Sequence, residues 1–326
     1  AGTRLDAGTH TLSVTFNPTD TTNYNSATTT VSINVLKATP VINWSNPADI
    51  TYGTLLSSTQ LNASVAGGIA GTLVYTPAAD TLLNAGNSQT LSVTFNPTDT
   101  ANYNSATKTV FINVLKADAT FDLHGYSGVY DGDPHGASGT ATGVNGETLA
   151  GLVFVGTFTN VPGGTANWTF TDVTGNYNNA NGTLPIVINK ANATFDLHGY
   201  SGIYDGDPHG ASGTATGVKG ETLAGLTFAG TFTNVPGGTA TWTFTDVTGN
   251  YNNDTGTLPI VITKAYANFN LFGYNGVYDG LPHGASGTAT GVKGEILAGL
   301  TFNGTFTDVP GGTAFWNFTD VTGNYY

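Results

Sequence analysis

Short runs of alternating apolar and polar residues recur along the chain. The segments 12–16, 31–35 and 91–95 place apolar side chains at every second position, with Ser, Thr or Asn between them, and 168–170 has the same period. A two-residue period is that of a β-strand with one buried face. Asn-Pro, Asp-Gly, Pro-Gly-Gly and Gly-Asn turns separate the runs, and no Gly- and Pro-free stretch has a helical apolar stripe. The pattern predicts an all-β protein with almost no helix.

Two kinds of repeat follow one another. Tyr-Asp-Gly-x-Pro-His-Gly-Ala-Ser-Gly-Thr-Ala-Thr-Gly-Val begins at Tyr130, Tyr204 and Tyr278, a period of 74 residues. In the first half, Thr-Leu-Ser-Val-Thr-Phe-Asn-Pro-Thr-Asp begins at Thr11 and Thr90, a period of 79. A unit of this size with six or seven short strands is typical of a Greek-key, immunoglobulin-like β-sandwich. The fold class predicted is therefore all-β, with tandem immunoglobulin-like β-sandwich domains.

Lys-Ala pairs mark the predicted domain boundaries, and they begin at Lys37, Lys116, Lys190 and Lys264. We expect residues 1–37 to be the C-terminal half of an Ig-like repeat and 38–117 a complete one. The glycine-rich β-sandwich repeats are then 118–190 and 191–264, followed by an incomplete one at 265–326. Because almost no linker separates the units, we expect them to abut and form a rod.

Composition narrows the classes of partner. Charged residues make up 9% of the chain, against roughly 25% in a typical soluble protein. The net charge is −13, and the 8 Lys and Arg residues never cluster, which argues against nucleic acid or an anionic membrane as partner. No run of 18 apolar residues is present, so no membrane insertion is predicted for this segment. The absence of Cys excludes disulfides and thiolate-ligated metals.

A histidine stands near an aspartate in each glycine-rich repeat. The weak metal-ligand candidates are His135, His209, His283, Asp131, Asp205 and Asp279. A metal site needs two or three converging donors, and each repeat supplies only one such turn. The alternative is a turn held by Asx hydrogen bonding and a packed imidazole. No metal or cofactor is therefore assigned.

Two further chemistries remain open for charged residues near the predicted junctions. Asp122, Asp172, Asp196 and Asp246 offer hard oxygen donors for Ca²⁺, but their spacing matches no EF-hand loop. The boundary lysines invite an intramolecular Lys-Asn isopeptide bond, for which the simpler alternative is an exposed charge that protects a strand edge.

No catalytic constellation emerges from the sequence. It has no nucleophile elbow, P-loop or paired-glutamate cleft. Glu147, Glu221 and Glu295 repeat once per unit and are interpreted as solvated loop acids. A Trp-x-Phe alternation directs Trp168, Trp242 and Trp316 towards a core, and the alternative is a sugar-stacking platform.

The residues also resemble known repeat families. The run from Ile50-Thr51-Tyr52-Gly53 through Phe95-Asn96-Pro97-Thr98-Asp99 resembles bacterial group 3 immunoglobulin-like repeats, over residues 1–117. The Tyr-Asp-Gly-x-Pro-His repeats, with Val-Pro-Gly-Gly-Thr and Trp-x-Phe-Thr-Asp-x-x-Gly-Asn-Tyr, resemble the glycine-rich, MBG-like repeats of large bacterial surface proteins. The resemblance implies spacers, adhesin stalks or appendages of secreted hydrolases.

These observations lead to one functional expectation and one alternative. We expect a non-enzymatic, extracellular or cell-surface structural region of a large bacterial protein, such as a stalk, an adhesin or a surface-fibre segment that assembles head-to-tail. Its expected partners are its own repeats, neighbouring copies in a fibre, surface glycans or other cells. The alternative is a carbohydrate-binding or spacer module of a secreted enzyme, which exposed tryptophans would favour.

Overall fold

The computed structural model describes residues 2–326 and is built from β-strands and turns. Strands account for 51% of the chain. Within the described residues the only helical element is a single 3₁₀ turn, Ala66–Gly68. The prediction of an all-β protein is therefore confirmed.

Strand bounds follow the repeats. Up to residue 117 the strands are β1 (Gly8–Phe16), β2 (Ala27–Val35), β3 (Ile42–Asn43), β4 (Ile50–Thr51), β5 (Ser64–Val65), β6 (Gly71–Thr76), β7 (Gly86–Pro97) and β8 (Ala106–Leu115). In 118–190 they are β9 (Thr120–His124), β10 (Tyr126–Val129), β11 (His135–Gly136), β12 (Ser138–Thr142), β13 (Leu152–Val155), β14 (Thr157–Phe158), β15 (Gly163–Phe170) and β16 (Ala180–Asn189).

The remaining strands repeat this order. In 191–264 they are β17 (Thr194–His198), β18 (Tyr200–Ile203), β19 (Ser212–Thr216), β20 (Leu226–Ala229), β21 (Gly237–Phe244) and β22 (Asp254–Thr263). In 265–326 they are β23 (Asn268–Phe272), β24 (His283–Gly284), β25 (Ser286–Thr290), β26 (Ile296–Leu297), β27 (Leu300–Asn303), β28 (Thr305–Phe306) and β29 (Phe315–Phe318).

Each complete repeat has a four-stranded sheet and a two-stranded one, and 118–190 has a second two-stranded sheet, β11 with β14. In 191–264 the larger sheet has the order β18-β22-β21-β20, and the smaller pairs β17 with β19. The same order appears as β4-β8-β7-β6, with β3-β5, in 38–117, and as β10-β16-β15-β13, with β9-β12, in 118–190. In each larger sheet the strand that comes first along the chain pairs in parallel with the strand that comes last, as β4 with β8, β10 with β16 and β18 with β22. The pairs β6–β7, β7–β8, β13–β15, β20–β21 and β21–β22 are antiparallel.

The strand period explains the core of repeat 191–264. On β21, Trp242 and Phe244 are buried. Thr241, before Trp242, and Thr243, between the two aromatic residues, are exposed. Phe195 of the smaller sheet lies with its ring centroid 4.8 Å from that of Trp242 and 5.4 Å from that of Phe244. The two sheets therefore pack face to face through aromatic side chains, as aromatic pairs favour at these separations.

In repeat 38–117 aliphatic and aromatic side chains together fill the same space. Leu91, Val93 and Phe95 of β7 are buried together with Ile112 of β8. Trp44 is also buried, and its Nε1 donates to the carbonyl oxygen of Gln60 at 3.0 Å. That bond satisfies the indole N–H, which would otherwise be costly to bury.

By backbone contacts the chain forms two compact units. The first comprises residues up to Gly125, Ala137–Gly156 and Ala166–Leu184, and the second comprises Tyr126–Gly136, Thr157–Thr165 and Pro185–Tyr326. Strands β15 and β16 contribute residues to both units.

The first and last segments have simpler sheets. β1 and β2 form a two-stranded hairpin on which Val14, Phe16 and Val31 are each 64% exposed. In 265–326, β29 pairs with β27, and among the described residues no strand corresponds to β22. As a result Trp316 is 48% exposed, although its ring still contacts Phe269. The expectation of a core tryptophan is wrong at this position.

Candidate functional site: the junctions between repeats

The loop Thr-Asp-x-x-Gly-Asn-Tyr has a fixed shape in every glycine-rich repeat. In 191–264, Oδ1 of Asp246 accepts from the backbone N–H of Thr248, and Oδ2 accepts from that of Tyr251, both at 2.9 Å. Asp172 and Asp320 make the same bonds in their repeats. The carboxylate thus fixes the backbone on both sides of the asparagine that precedes the tyrosine.

That asparagine connects each repeat to the one before it. Oδ1 of Asn250 accepts from the backbone N–H of Val161 at 2.9 Å, and its Nδ2 donates to Oδ1 of Asn160 at 3.0 Å. Asn176 binds the N–H of Ala85 at 2.8 Å, and Asn324 binds that of Val235 at 2.9 Å. These three asparagines are buried, and each amide is satisfied across the junction.

The first repeat type uses the same device. The side chain of Asp99 accepts from Asn102, whose Oδ1 accepts from the N–H of Ala7 at 2.7 Å. Nδ2 of Asn102 also donates to Asp6 at 3.1 Å. Four junctions therefore share one asparagine-mediated contact. The sequence showed that Asn-Tyr recurs, but not that its amide reaches a partner 89 to 95 residues away.

The tyrosine of the loop is buried at the same place. Tyr251 is 1% exposed, its hydroxyl donates to Glu221, and the hydroxyl oxygen accepts from the N–H of Val218 at 3.0 Å. Its ring meets that of Tyr130, in the preceding repeat, edge to face at 5.5 Å between centroids. The pairs Tyr52–Tyr177 and Tyr204–Tyr325 repeat this contact at 5.4 Å.

Burial and this hydrogen bond change the acidity of both partners. Burial, and next the bond to Glu221, raise the pKa of Tyr251 to about 12. The same bond is the main cause that lowers the pKa of Glu221. Glu147 and Glu295 bind Tyr177 and Tyr325 in the same way. Glu221 and Glu295 are exposed and Glu147 is half-buried. These glutamates are therefore solvent-accessible loop acids, as interpreted from the sequence, and each also holds the tyrosine of its own repeat.

The Tyr-Asp-Gly-x-Pro-His turn supplies the other side of the junction. Oδ1 of Asp131 accepts from the backbone N–H of Asp133 and lies 2.9 Å from Nε2 of His135. The imidazole is stacked on Tyr126, with 3.7 Å between the ring centroids. The hydrogen bonds from Asp133 and then His135 lower the pKa of Asp131. The turn thereby presents Tyr130 and Asp133 to the next repeat.

The other metal-candidate residues lie in equivalent turns. His209 is stacked on Tyr200 and bound to Asp205, and His283 is stacked on Tyr274 and bound to Asp279. Each turn thus brings one His and one Asp together. Over residues 2–326 no group of three or more His, Asp or Glu side chains is placed to hold a metal ion.

The four calcium candidates have separate surroundings. Asp172 and Asp246 bind backbone N–H groups of their own loops. Asp122 and Asp196 lie on exposed strand faces, each 3.1 Å from a neighbouring His. The structure does not bring these carboxylates together into one site.

Charge pairs cross two of the junctions. Nζ of Lys219 lies 2.7 Å from Oδ2 of Asp133, and Nζ of Lys293 lies 2.5 Å from Oδ1 of Asp207. At the junction of 38–117 with 118–190, Asn145 stands where the lysine would be. There Gly53 meets Val144: a Cβ on this glycine would come within 2.6 Å of Cγ2 of Val144, and its φ is +98°. Sequence reasoning did not identify these pairs.

The boundary lysines bind backbone carbonyls rather than standing free. Nζ of Lys116, Lys190 and Lys264 donates to the carbonyl oxygens of Tyr177, Tyr251 and Tyr325, each at 3.1 Å. The alanine that follows is paired as well: Ala191 N donates to Asn250 O at 2.9 Å. Each Lys-Ala connection is therefore hydrogen-bonded along its length, and no Lys-Asn isopeptide bond is assigned to these lysines.

Most tryptophans face inward. Trp44 and Trp242 are buried, Trp168 is half-buried, and Trp168 packs against Phe121 at 4.9 Å between centroids. They do not form an exposed aromatic platform.

Comparisons with known proteins give little. No family model and no curated protein matches the chain. Among solved structures, the one titled "Structure of surface layer protein SbsC, domains 4-9" is similar at 12% identity and a TM-score of 0.20, over 90% of this chain. The chain spans 60% of the length of that structure. A likeness at this TM-score carries no conclusion about this protein.

No helix among the described residues is long and apolar enough to cross a membrane.

Proposed function

We propose that this chain is a non-enzymatic, extracellular structural segment whose repeats act as a stiff spacer, as in the stalk of a bacterial surface protein. The observation that carries the proposal is the asparagine-mediated junction, repeated at four positions. A chemistry that recurs only where repeats meet favours a function in their connection.

The contacts at one junction oppose bending in several directions. Between 118–190 and 191–264, Asn250 binds two residues, Tyr251 packs against Tyr130, and Lys219 pairs with Asp133. Consecutive domains move relative to one another by default unless their interface is extensive. Here the connecting backbone is itself hydrogen-bonded, so a change of angle must break bonds.

Composition and repetition support the proposal of an extracellular, non-enzymatic segment. Thr, Asn, Ser and Gly provide most of the polar character of the chain, and charged residues are 9% of it. Near-identical duplication of a whole repeat lengthens a spacer without new chemistry. The inward-facing tryptophans favour this proposal over a carbohydrate-binding module. Binding to neighbouring copies or surface glycans stays a prediction, and no cofactor is assigned.

The test measures how widely the distance across one junction varies. Because the chain has no Cys, spin labels can be placed on Val187→Cys and Thr257→Cys, both exposed positions. We expect pulsed electron paramagnetic resonance to give a narrow distribution of label-to-label distances. Asn250→Ala should broaden it, because the N–H of Val161 then loses its acceptor.

Asn167→Ala is the matched control, since Asn167 is exposed on β15. This variant should leave the distribution unchanged. A broad distribution in the unmodified junction would overturn the proposal of a stiff spacer.

A further inference from the structure

In each complete repeat, the four-stranded sheet places its first strand in chain order directly beside its last strand in chain order. The two strands run parallel. These pairs are β4 with β8, β10 with β16, and β18 with β22. In 191–264 the register joins Tyr200 to Ile260 and Ile203 to Thr263. We call these three strand pairs the parallel clamps.

This geometry has a mechanical consequence. The chain enters the clamp of 191–264 at Tyr200 and leaves it at Thr263. A force on the two chain ends pulls β18 backwards and β22 forwards along the same axis. All the hydrogen bonds of the ladder are then loaded together, whereas a force across the ladder would break them one after another.

We propose that the chain bears tension between its ends, and that the parallel clamps are the elements that resist it. This inference rests on the proposed function and adds to it that the spacer carries a pulling force. A spacer that only sets a distance needs stiff junctions, but a tether under pull also needs repeats that resist unfolding along the direction of the chain.

The exit of each clamp is reinforced. Tyr204 N donates to Thr263 O at 2.8 Å, and Oγ1 of Thr263 donates to the carbonyl oxygen of Gly202 at 3.2 Å. In the preceding repeat, Nδ2 of Asn189 donates to Gly128 O at the same distance. The last residues of β16 and β22 thus hold their entry strands by the side chain. In β8 the last residue, Leu115, holds the entry strand through its backbone carbonyl alone, which accepts from Tyr52 N at 2.8 Å.

The histidine turn holds the entry strand from its other end. Tyr200 is the first residue of β18, its ring is stacked on His209, and Asp205 holds the imidazole. A Cβ at position 202 would lie 2.3 Å from the Tyr200 hydroxyl, so a glycine there lets the ring fold back over the strand. The recurring Asp and His of the repeat motif thereby support the clamp.

The experiment pulls the full chain in an atomic force microscope, with a Cys added at each end as a handle. Unfolding of 118–190 or 191–264 should each release roughly 250 Å of chain, given about 3.4 Å per extended residue. We expect two events of nearly equal force, since the two clamps differ only at Val129/Ile203 and Asn189/Thr263.

Two changes test the assignment of this force to the clamp. Moving the handles to Ser201→Cys and Val261→Cys, which lie directly opposite on β18 and β22, loads the ladder of the clamp sideways. The force for that repeat should then fall several-fold. His209→Ala should lower one of the two nearly equal events, and the repeat with His135 serves as the internal standard.

His198→Ala is the matched control, because His198 lies on an exposed face of the same repeat with a side chain 64% exposed. It should leave both events unchanged. A rupture force that is the same in both pulling directions would overturn the tension-bearing role. Combined with a narrow label distance distribution, that result would leave the stiff spacer standing; a broad distribution would instead remove the proposed function itself.

Discussion

At the scale of single residues, each glycine-rich repeat concentrates its specific chemistry in a few side chains. Asn250 and Tyr251 act across the junction, while Asp246 and Glu221 hold them in place. The two carboxylates among them do not lie in an apolar core. The four residues therefore act through their geometry and their hydrogen bonds. The ionisation of Tyr251 can be followed at high pH.

Removing the Tyr251 hydroxyl should reveal its raised pKa. The folded state holds this pKa at about 12, above the ordinary 10. The stability that this provides is present below about pH 10 and is lost as the pH rises through 12. Tyr251→Phe keeps the ring and should cost about 1–2 kcal/mol of unfolding free energy at neutral pH.

The measurement is urea unfolding, followed by Trp fluorescence, from neutral to strongly alkaline pH. The difference between the wild type and Tyr251→Phe should shrink as the pH approaches 12. Tyr24→Phe is the control, because Tyr24 is 66% exposed. A difference that stays constant over the whole range would contradict the raised pKa.

At the scale of strands, the two-residue period separates core from surface. On β21, Phe244 is 0% exposed and Thr243 beside it is exposed. Phe244 packs on Phe195 of the other sheet, so it contributes to the contact between sheets as well as to its own strand. Neighbouring positions on one strand should therefore respond very differently to truncation.

Phe244→Ala should destabilise repeat 191–264 by about 3–5 kcal/mol, because a buried ring is lost and a cavity remains. Thr243→Ala should change stability by no more than about 0.5 kcal/mol, as is usual at an exposed position. Calorimetry of the full chain measures both. Equal effects of the two substitutions would mean that this strand is not buried on one face.

At the scale of the whole molecule, the junction loops make stability depend on aspartate ionisation. Bonds from the Asn102 side chain and then its backbone lower the pKa of Asp99. Burial opposes ionisation of Asp246 most strongly, but the bonds from Tyr251 and Thr248 together outweigh it and lower its pKa. Every loop of this kind therefore needs its carboxylate charged.

We expect the chain to lose stability in acid. A depressed folded pKa gives stability that is present above the ordinary value of about 4 and is lost as the pH falls below it. Asp246→Asn should make repeat 191–264 less stable at neutral pH but less sensitive to acid. Circular dichroism and urea unfolding across this range measure it, and an unfolding free energy independent of pH would contradict the prediction.

Much of the architecture could be predicted from local sequence. Alternation in segments such as 91–95, broken by Gly and Pro turns, determines strands whatever their partners, because a strand needs only one apolar face to be buried. Fixed repeats and Lys-Ala pairs likewise predicted a tandem arrangement. These properties depend on residues close together in the chain.

Only the tertiary structure decided what the recurring polar residues do. Asn250 binds Val161 across 89 residues, Glu221 binds Tyr251 across 30, and Lys219 reaches Asp133 across 86. Their one-letter pattern is that of ordinary loop residues, because a hydrogen bond depends on where the partner lies after folding.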